Sequence, residues 1–332
     1  MSAWKRGVSR IVYEGDKKNG IPHGWGKLTF LDGSYEGEFK NGVKRGQGRL
    51  VFPDGAIYEG KFKNDIPHGQ GKFTYADTTV YEGEFEDGKK HGHGKYTCPN
   101  GRLYEGQFKN GINEGHGREV YSDGSVYEGE FENDQRHGAG KFAFANGDTY
   151  EGQFKNDKGH GQGRIAYASG NTYEGQFKNF DEHGRGRSVL VDGSVYEGAF
   201  KNGVWHGPGK LTFADGEVYE GEFKNGKMHG YGKFESGTWG VFKGTFESGV
   251  VVSGKRTVPG GAVFHVKQGG VEKSEAEWIV EQVVDDLVRA VEVKQAEEKD
   301  QARRQAEAAT NRELAALRIA ERKAVRNAAK KW

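Results

Sequence analysis

The chain has 332 residues, 55 of them glycine, with 34% hydrophobic residues, a mean hydropathy of −0.86 and a formal charge of +1. So much glycine and so little apolar mass argue against a compact two-domain globule, and the near-neutral charge argues against generic nucleic-acid binding. The single cysteine, Cys98, forms no internal disulfide and suits a reducing compartment, and no apolar run approaches the roughly 20 residues of a membrane span.

In chain order, residues 1–12 form a short lead-in with no signal-peptide core, in which Val8, Ile11 and Val12 suit a capping strand. A soluble, intracellular protein is the expectation. From Tyr13 a repeat takes over. Its leading aromatic recurs at 35, 58, 81, 104, 127, 150, 173, 196, 219 and 242, after a first step of 22 residues and then steps of 23. A fixed period in this range marks a stacked array. In Tyr35-Glu36-Gly37-Glu38-Phe39, alternation puts Tyr, Gly and Phe on one strand face and both Glu on the other. The glycine leaves room there for rings from the neighbouring strand. Asn41-Gly42 is a hairpin signal, Gly46 to Phe52 is the return strand, and Pro53-Asp54-Gly55 turns into the next copy. Eleven such hairpins over 13–249 make an antiparallel meander on the order of 105 Å long.

The run Tyr-Glu-Gly-Glu-Phe-Lys-Asn-Gly, then His-Gly-x-Gly-Lys, then Asp-Gly, resembles the MORN repeat (membrane occupation and recognition nexus). The resemblance covers about residues 13–255. It implies an elongated single-layer antiparallel β-hairpin array used as a scaffold in cytoskeletal, ciliary and membrane-junction proteins. Some copies depart from the pattern. Lys17 stands in place of Phe, Arg45 and Glu114 in place of His, and Phe242 in place of Tyr.

Residues 250–270 read as a β cap and hinge, with strands at Val250-Val251-Val252 and Ala262 to Val266. From 271 to 332 there is no Gly or Pro. Ser274 with Glu277 fits a capping box, and a continuous helix from there would be about 87 Å long. Trp278, Ile279, Val280, Val283, Val284, Leu287, Val288 and Val291 make a wide apolar face. It packs either on the ribbon or on another chain, and the second, self-association included, is the expectation. The end is a basic arm in which Arg318, Arg322, Lys323, Arg326, Lys330 and Lys331 face only Glu321.

Candidate chemistry within the repeats is weak. The histidines at 23, 68, 91, 137, 160, 183, 206 and 229 share one repeat position, about 10 Å apart in register, too far for one zinc ion. Their expected role is structural, with imidazole bonded to turn backbone. Gly-x-Gly strings such as Gly69-Gln70-Gly71 lack the context of a phosphate loop, and the glutamates read as a solvated ladder. No catalytic residue, metal or cofactor is expected. Trp25, Phe180 and Trp205, the last in a turn, break the pattern. Each is either a contact anchor or a ring folded back over the ribbon. The expected function is a non-enzymatic scaffold in a cytoskeletal assembly, with the resemblance pointing to a ciliary or flagellar axoneme complex of the radial-spoke-head type. The alternative is a tether bound to anionic membrane lipid.

Overall fold

The computed structural model describes residues 11–267. The lead-in through residue 10, the end of the expected hinge and the whole segment 271–332, with its helix and basic arm, lie outside the described residues. The described chain is all β: 23 strands, every pair antiparallel, in an open sheet. It divides into two units, residues 11–135 and 136–267.

In the first unit β1 (Val12–Lys18), β2 (Ile21–Phe30), β3 (Gly33–Lys40), β4 (Val43–Val51), β5 (Ile57–Lys63) and β6 (Ile66–Thr74) set a rhythm that continues to β11 (Val126–Glu132). Each strand pairs with the next in sequence, as in Gly37↔Gly48 and Gly48↔Gly60. The hairpin turn is made by Asn41 (φ 53°) and Gly42 (φ 85°), both left-handed, as a two-residue primed turn requires. The second turn is set by Asp54, whose Oδ1 accepts from the Ala56 amide at 3.2 Å, and by Gly55 at φ 87°. The register slips between Gly37 and Phe39 at the bulge that Gly46 permits.

The core is a column of rings. Tyr35 touches Phe39 at 5.0 Å and Phe62 at 5.0 Å, edge to face in both cases; Tyr58, Tyr81 and Tyr104 repeat this with their own neighbours. Such pairs are worth about 0.5–1.5 kcal/mol each beyond area burial. The glycines divide on the expectation. Gly60, between the two aromatics of β5, meets the hydroxyl of its own strand's Tyr58 and the backbone of Gly71, whereas Gly71 takes the ring from its neighbouring strand. Tyr58 lies across the bare Gly71 of β6, and its hydroxyl donates to the Lys61 carbonyl at 2.9 Å. Tyr35 and Tyr58 are fully buried as a result.

In the second unit β12 (Gln135–Ala143), whose first residue closes the first unit, leads through β18 (Val204–Thr212) and β20 (Lys227–Ser236) to β21 (Gly240–Glu247), β22 (Val250–Thr257) and β23 (Val263–Lys267). Its ring column ends at Phe242 and Phe246, centroids 5.3 Å apart. The divergent eleventh copy therefore forms the same hairpin as the others, and Val250 opens its return strand.

Candidate interaction surface

The column seals one sheet face, which leaves the exposed chemistry on the other. There, glutamates of the first strands of repeats one to ten face cations of the second strands. Arg49–Glu59 stand at 3.1 Å, Lys72–Glu82 at 2.7 Å and Arg187–Glu197 at 3.1 Å. The hydrogen bond to Glu82, then its charge, holds Lys72 above the ordinary lysine value. These pairs are exposed, where solvent and salt screen them and each adds little to stability. Nearer the hairpin turns the outer face carries a groove of about 550 Å³, lined by His23, Lys40, Arg45, Lys61, Lys63 and His68 with Phe39 and Phe62 among them. Its one carboxylate, Glu38, accepts from the Gln47 amide at 2.9 Å across the bulge.

On the sealed face one position varies from copy to copy: Pro22, Lys44, Pro67, Lys90 and Asn113 in the first unit, and Arg136, Gly159, Glu182, Trp205 and Met228 in the second. It lies beside the tyrosine ring. Lys44 reaches over Tyr35 at 5.6 Å, and burial, only partly offset by Asp65, holds its ammonium below the usual lysine range. Lys90, 4% exposed, sits over Tyr96 at 4.5 Å and Phe108 at 4.9 Å. Arg136 lies over Phe142 at 4.7 Å.

This position settles two of the three pattern-breaking aromatics. Trp205 is not in a turn. It is the second residue of β18 and stacks on Tyr196 at 4.4 Å and 11°. Phe180 is a turn residue, held at φ 68°, where a bulky side chain is rare. Its ring contacts Tyr150 at 5.3 Å and occupies the space that Gly159 leaves open. Both rings fold back over the sheet. Trp25, by contrast, is 53% exposed, opposite Glu38 on the outer face. The docking helix at 278–291 and the basic arm at 318–331 lie outside the described residues.

Two of the histidines differ from the expected bonding of imidazole to turn backbone. Nδ1 of His23 and of His183 is buried without a hydrogen-bond partner. The bond goes to the main chain instead: Tyr173 donates to the His183 carbonyl at 3.3 Å as well as to Gln176. Among the described residues no group of three or more His, Cys, Asp or Glu is placed to hold a metal ion.

The sequence reading missed a buried charge cluster. Arg102 Nε donates to Glu119 Oε1 at 2.8 Å, and the Tyr121 hydroxyl to Glu119 Oε2 at 2.5 Å; Arg102 is 7% and Glu119 1% exposed. Burial pulls the guanidinium down, but the charge and hydrogen bond of Glu119 more than reverse this and leave it above its ordinary value. A signal was there. Glu119 breaks a row of Leu50, Phe73 and Phe142, and Arg102 breaks a row of Ala56, Thr79 and Ser125.

The model of the MORN repeat matches ten segments that run from residues 13–34 to residues 219–241. No curated protein matches the chain significantly. Among solved structures, the TCP10 domain of Danio rerio CPAP is 13% identical, with 57% of this chain and 89% of that chain covered and a TM-score of 0.33. A virginiamycin B lyase from Staphylococcus aureus is 13% identical, with 81% and 77% covered and a TM-score of 0.14. These likenesses are too distant to bear on fold or function.

Proposed function

The chain belongs to the MORN-repeat family, whose repeats are protein- or lipid-interaction modules of generally non-enzymatic scaffolds, and from that premise we propose that it is a structural scaffold of a cytoskeletal assembly, specifically an axonemal complex of the radial-spoke-head type. The supporting observation is the division of labour between the faces. The buried tyrosines and phenylalanines are spent on the fold, so each unit presents an outer face of exposed charged side chains for contact. Nothing on that face distinguishes one carboxylate pair as a general acid and base, which suits presentation rather than turnover. The docking element of this reading is the helix expected over 278–291, because burying a large apolar side chain is worth about 1.5–3 kcal/mol. The test is detergent extraction of ciliated cells that express the tagged chain. The wild type stays with the axoneme, and Val284→Asp with Leu287→Asp is released while the β signal of the purified variant persists. Equal retention of both would refute helix docking, and wild-type release by detergent would refute the axonemal setting.

A second reading rests on the basic arm, whose six cations against Glu321 suit an anionic lipid surface. It predicts binding to phosphatidylserine vesicles that falls steeply with salt and is lost on charge reversal at Arg322, Lys323 and Arg326. Binding that ignores salt and these changes would refute it.

A further inference from the structure

The outer face of residues 11–135 changes sign along its length. Three rows near the hairpin turns carry the change: the residue after the central glycine of the first strand, the residue two further on, and the histidine position. Repeats two and three place Lys40, Arg45, Lys61 and Lys63 in these rows against the single carboxylate Glu38. Repeats four to six place Glu84, Glu86, Glu114, Glu130 and Glu132 there against the single lysine Lys109. Most of these side chains are exposed or half-buried, on strands whose alternate residues are the buried rings.

We infer that this face is a two-fold interface, in which the basic groove of one copy receives the acidic stretch of a second copy and the reverse. A two-fold contact uses one patch twice, so the patch must complement itself. A two-fold axis that lies between the faces, parallel to the strands and along β6, midway between the first strands of repeats three and four, keeps each row opposite itself and reverses the repeat order. Lys61 then meets Glu84, and Lys63 meets Glu86, nearest the axis. On the return strands the same axis brings Arg45 of β4 opposite His91 and His23 opposite Glu114. Lys18 meets Glu132 further out. Like meets like only at Lys40 with Lys109 and at Asp16 with Glu130. The axis is set by charge alone, and of the five charged pairs it makes on the first strands three are of opposite sign. A flat anionic membrane suits the face poorly, because the acidic repeats would be pressed against it together with the basic ones. Contacts of this kind govern specificity and register and weaken with salt.

The test uses the full-length chain in sedimentation equilibrium at low and high salt. Each substitution installs a residue that another repeat already carries in the same row, so the hairpins accept it. Lys61→Glu with Lys63→Glu copies repeat four, and Glu84→Lys with Glu86→Lys copies repeat three. The wild type is a dimer at low salt that dissociates as salt rises. Each double variant dimerises at least about tenfold more weakly, and an equimolar mixture of the two restores the dimer. A wild type that is monomeric at low salt overturns the proposal. So does a dimer that survives both variants but is lost in Val284→Asp with Leu287→Asp, which places association on the C-terminal helix. Vesicle binding that the Lys61 and Lys63 changes abolish, in a protein that is monomeric throughout, assigns the groove to lipid and overturns it equally.

Discussion

Replacing Gly71 with alanine adds one methyl group at the point where the ring of Tyr58 crosses β6. That carbon would lie 2.5 Å from the Tyr58 hydroxyl oxygen and 2.7 Å from two ring carbons, well inside ordinary contact. The ring cannot slide aside, because Phe62 and Phe85 flank it at 5.0 Å on edge-to-face contacts. Lifting it breaks the hydroxyl bond to Lys61. Overpacking costs about 1–3 kcal/mol and the lost hydrogen bond about 1 kcal/mol, so Gly71→Ala costs about 2–4 kcal/mol in total. Tyr58→Ala alone removes a fully buried ring, which costs about 3–5 kcal/mol. With the ring gone, the three atoms nearest the new methyl are gone too, so Gly71→Ala in the Tyr58→Ala background costs close to nothing. The double variant should therefore be more stable than the sum of the singles by about 2–4 kcal/mol, a coupling that only direct contact gives. Amide hydrogen exchange over β5 and β6 reads the local opening free energies, since a repeat array need not unfold in one step. If the two changes add to within about 0.5 kcal/mol, the ring does not rest on the glycine and the account of the core is wrong.

Two further outcomes follow from the buried groups. Burial first, then neighbouring carboxylates where present, raises the folded-state pKa of Tyr35, Tyr58, Tyr81 and Tyr104 above the ordinary 10.0. A raised tyrosine adds stability that is intact below pH 10 and lost as pH climbs toward the folded value, by about 1.4 kcal/mol per pH unit for each ring; phenolate absorbance should appear together with loss of the β signal, and smooth titration near 10 with the sheet intact would contradict this. Separately, Glu119→Phe strands Arg102 in the interior and should cost about 3–5 kcal/mol. Adding Arg102→Ala recreates the Ala56 and Phe73 pair of the third hairpin and should recover most of that in urea unfolding, whereas a double variant as weak as the single would show that the cluster does more than replace apolar packing.

The hairpins were legible because strand period, turn chemistry and repeat period agree in every copy. Tyr35 and Phe39 fall on one face by alternation alone, and Asn41-Gly42 and Asp54-Gly55 tolerate the backbone that the two turns adopt. What escaped depends on neighbours 9 to 21 residues away. Trp205 reads as a turn residue until the turn is known to take only Asn202 and Gly203, which leaves Trp205 to stack on Tyr196. Phe180 in place of a turn glycine makes sense only with Gly159 one repeat back. Arg102 and Glu119 each look like surface charges until Glu119 is seen to break the row of Leu50, Phe73 and Phe142 and to accept from Arg102 seventeen residues back. Arg45 and Glu114 were visible as departures, but that they belong to a basic and an acidic stretch shows only when the outer-face rows are known.

The variable position beside each tyrosine also bears on how a chain of near-identical copies finds its correct neighbours. In each copy this residue accepts a bond from the hairpin turn of the next one, as when Gly42 donates to Pro22 and Gly111 to Lys90. Several of these meetings are matched by side chain as well. Asp65 accepts from the Lys44 amide, Asp134 from that of Asn113 and Asp157 from that of Arg136, while Phe180 fills Gly159. A chain that skipped one repeat during folding would keep every tyrosine on a glycine and every turn intact, so the ring column alone gives no warning of the error. It would, however, press Phe180 against Arg136 and leave Gly159 empty. The irregular residues thus act as addresses within a periodic text, and a version of this protein built from eleven identical consensus copies would gain regularity and lose its means of counting.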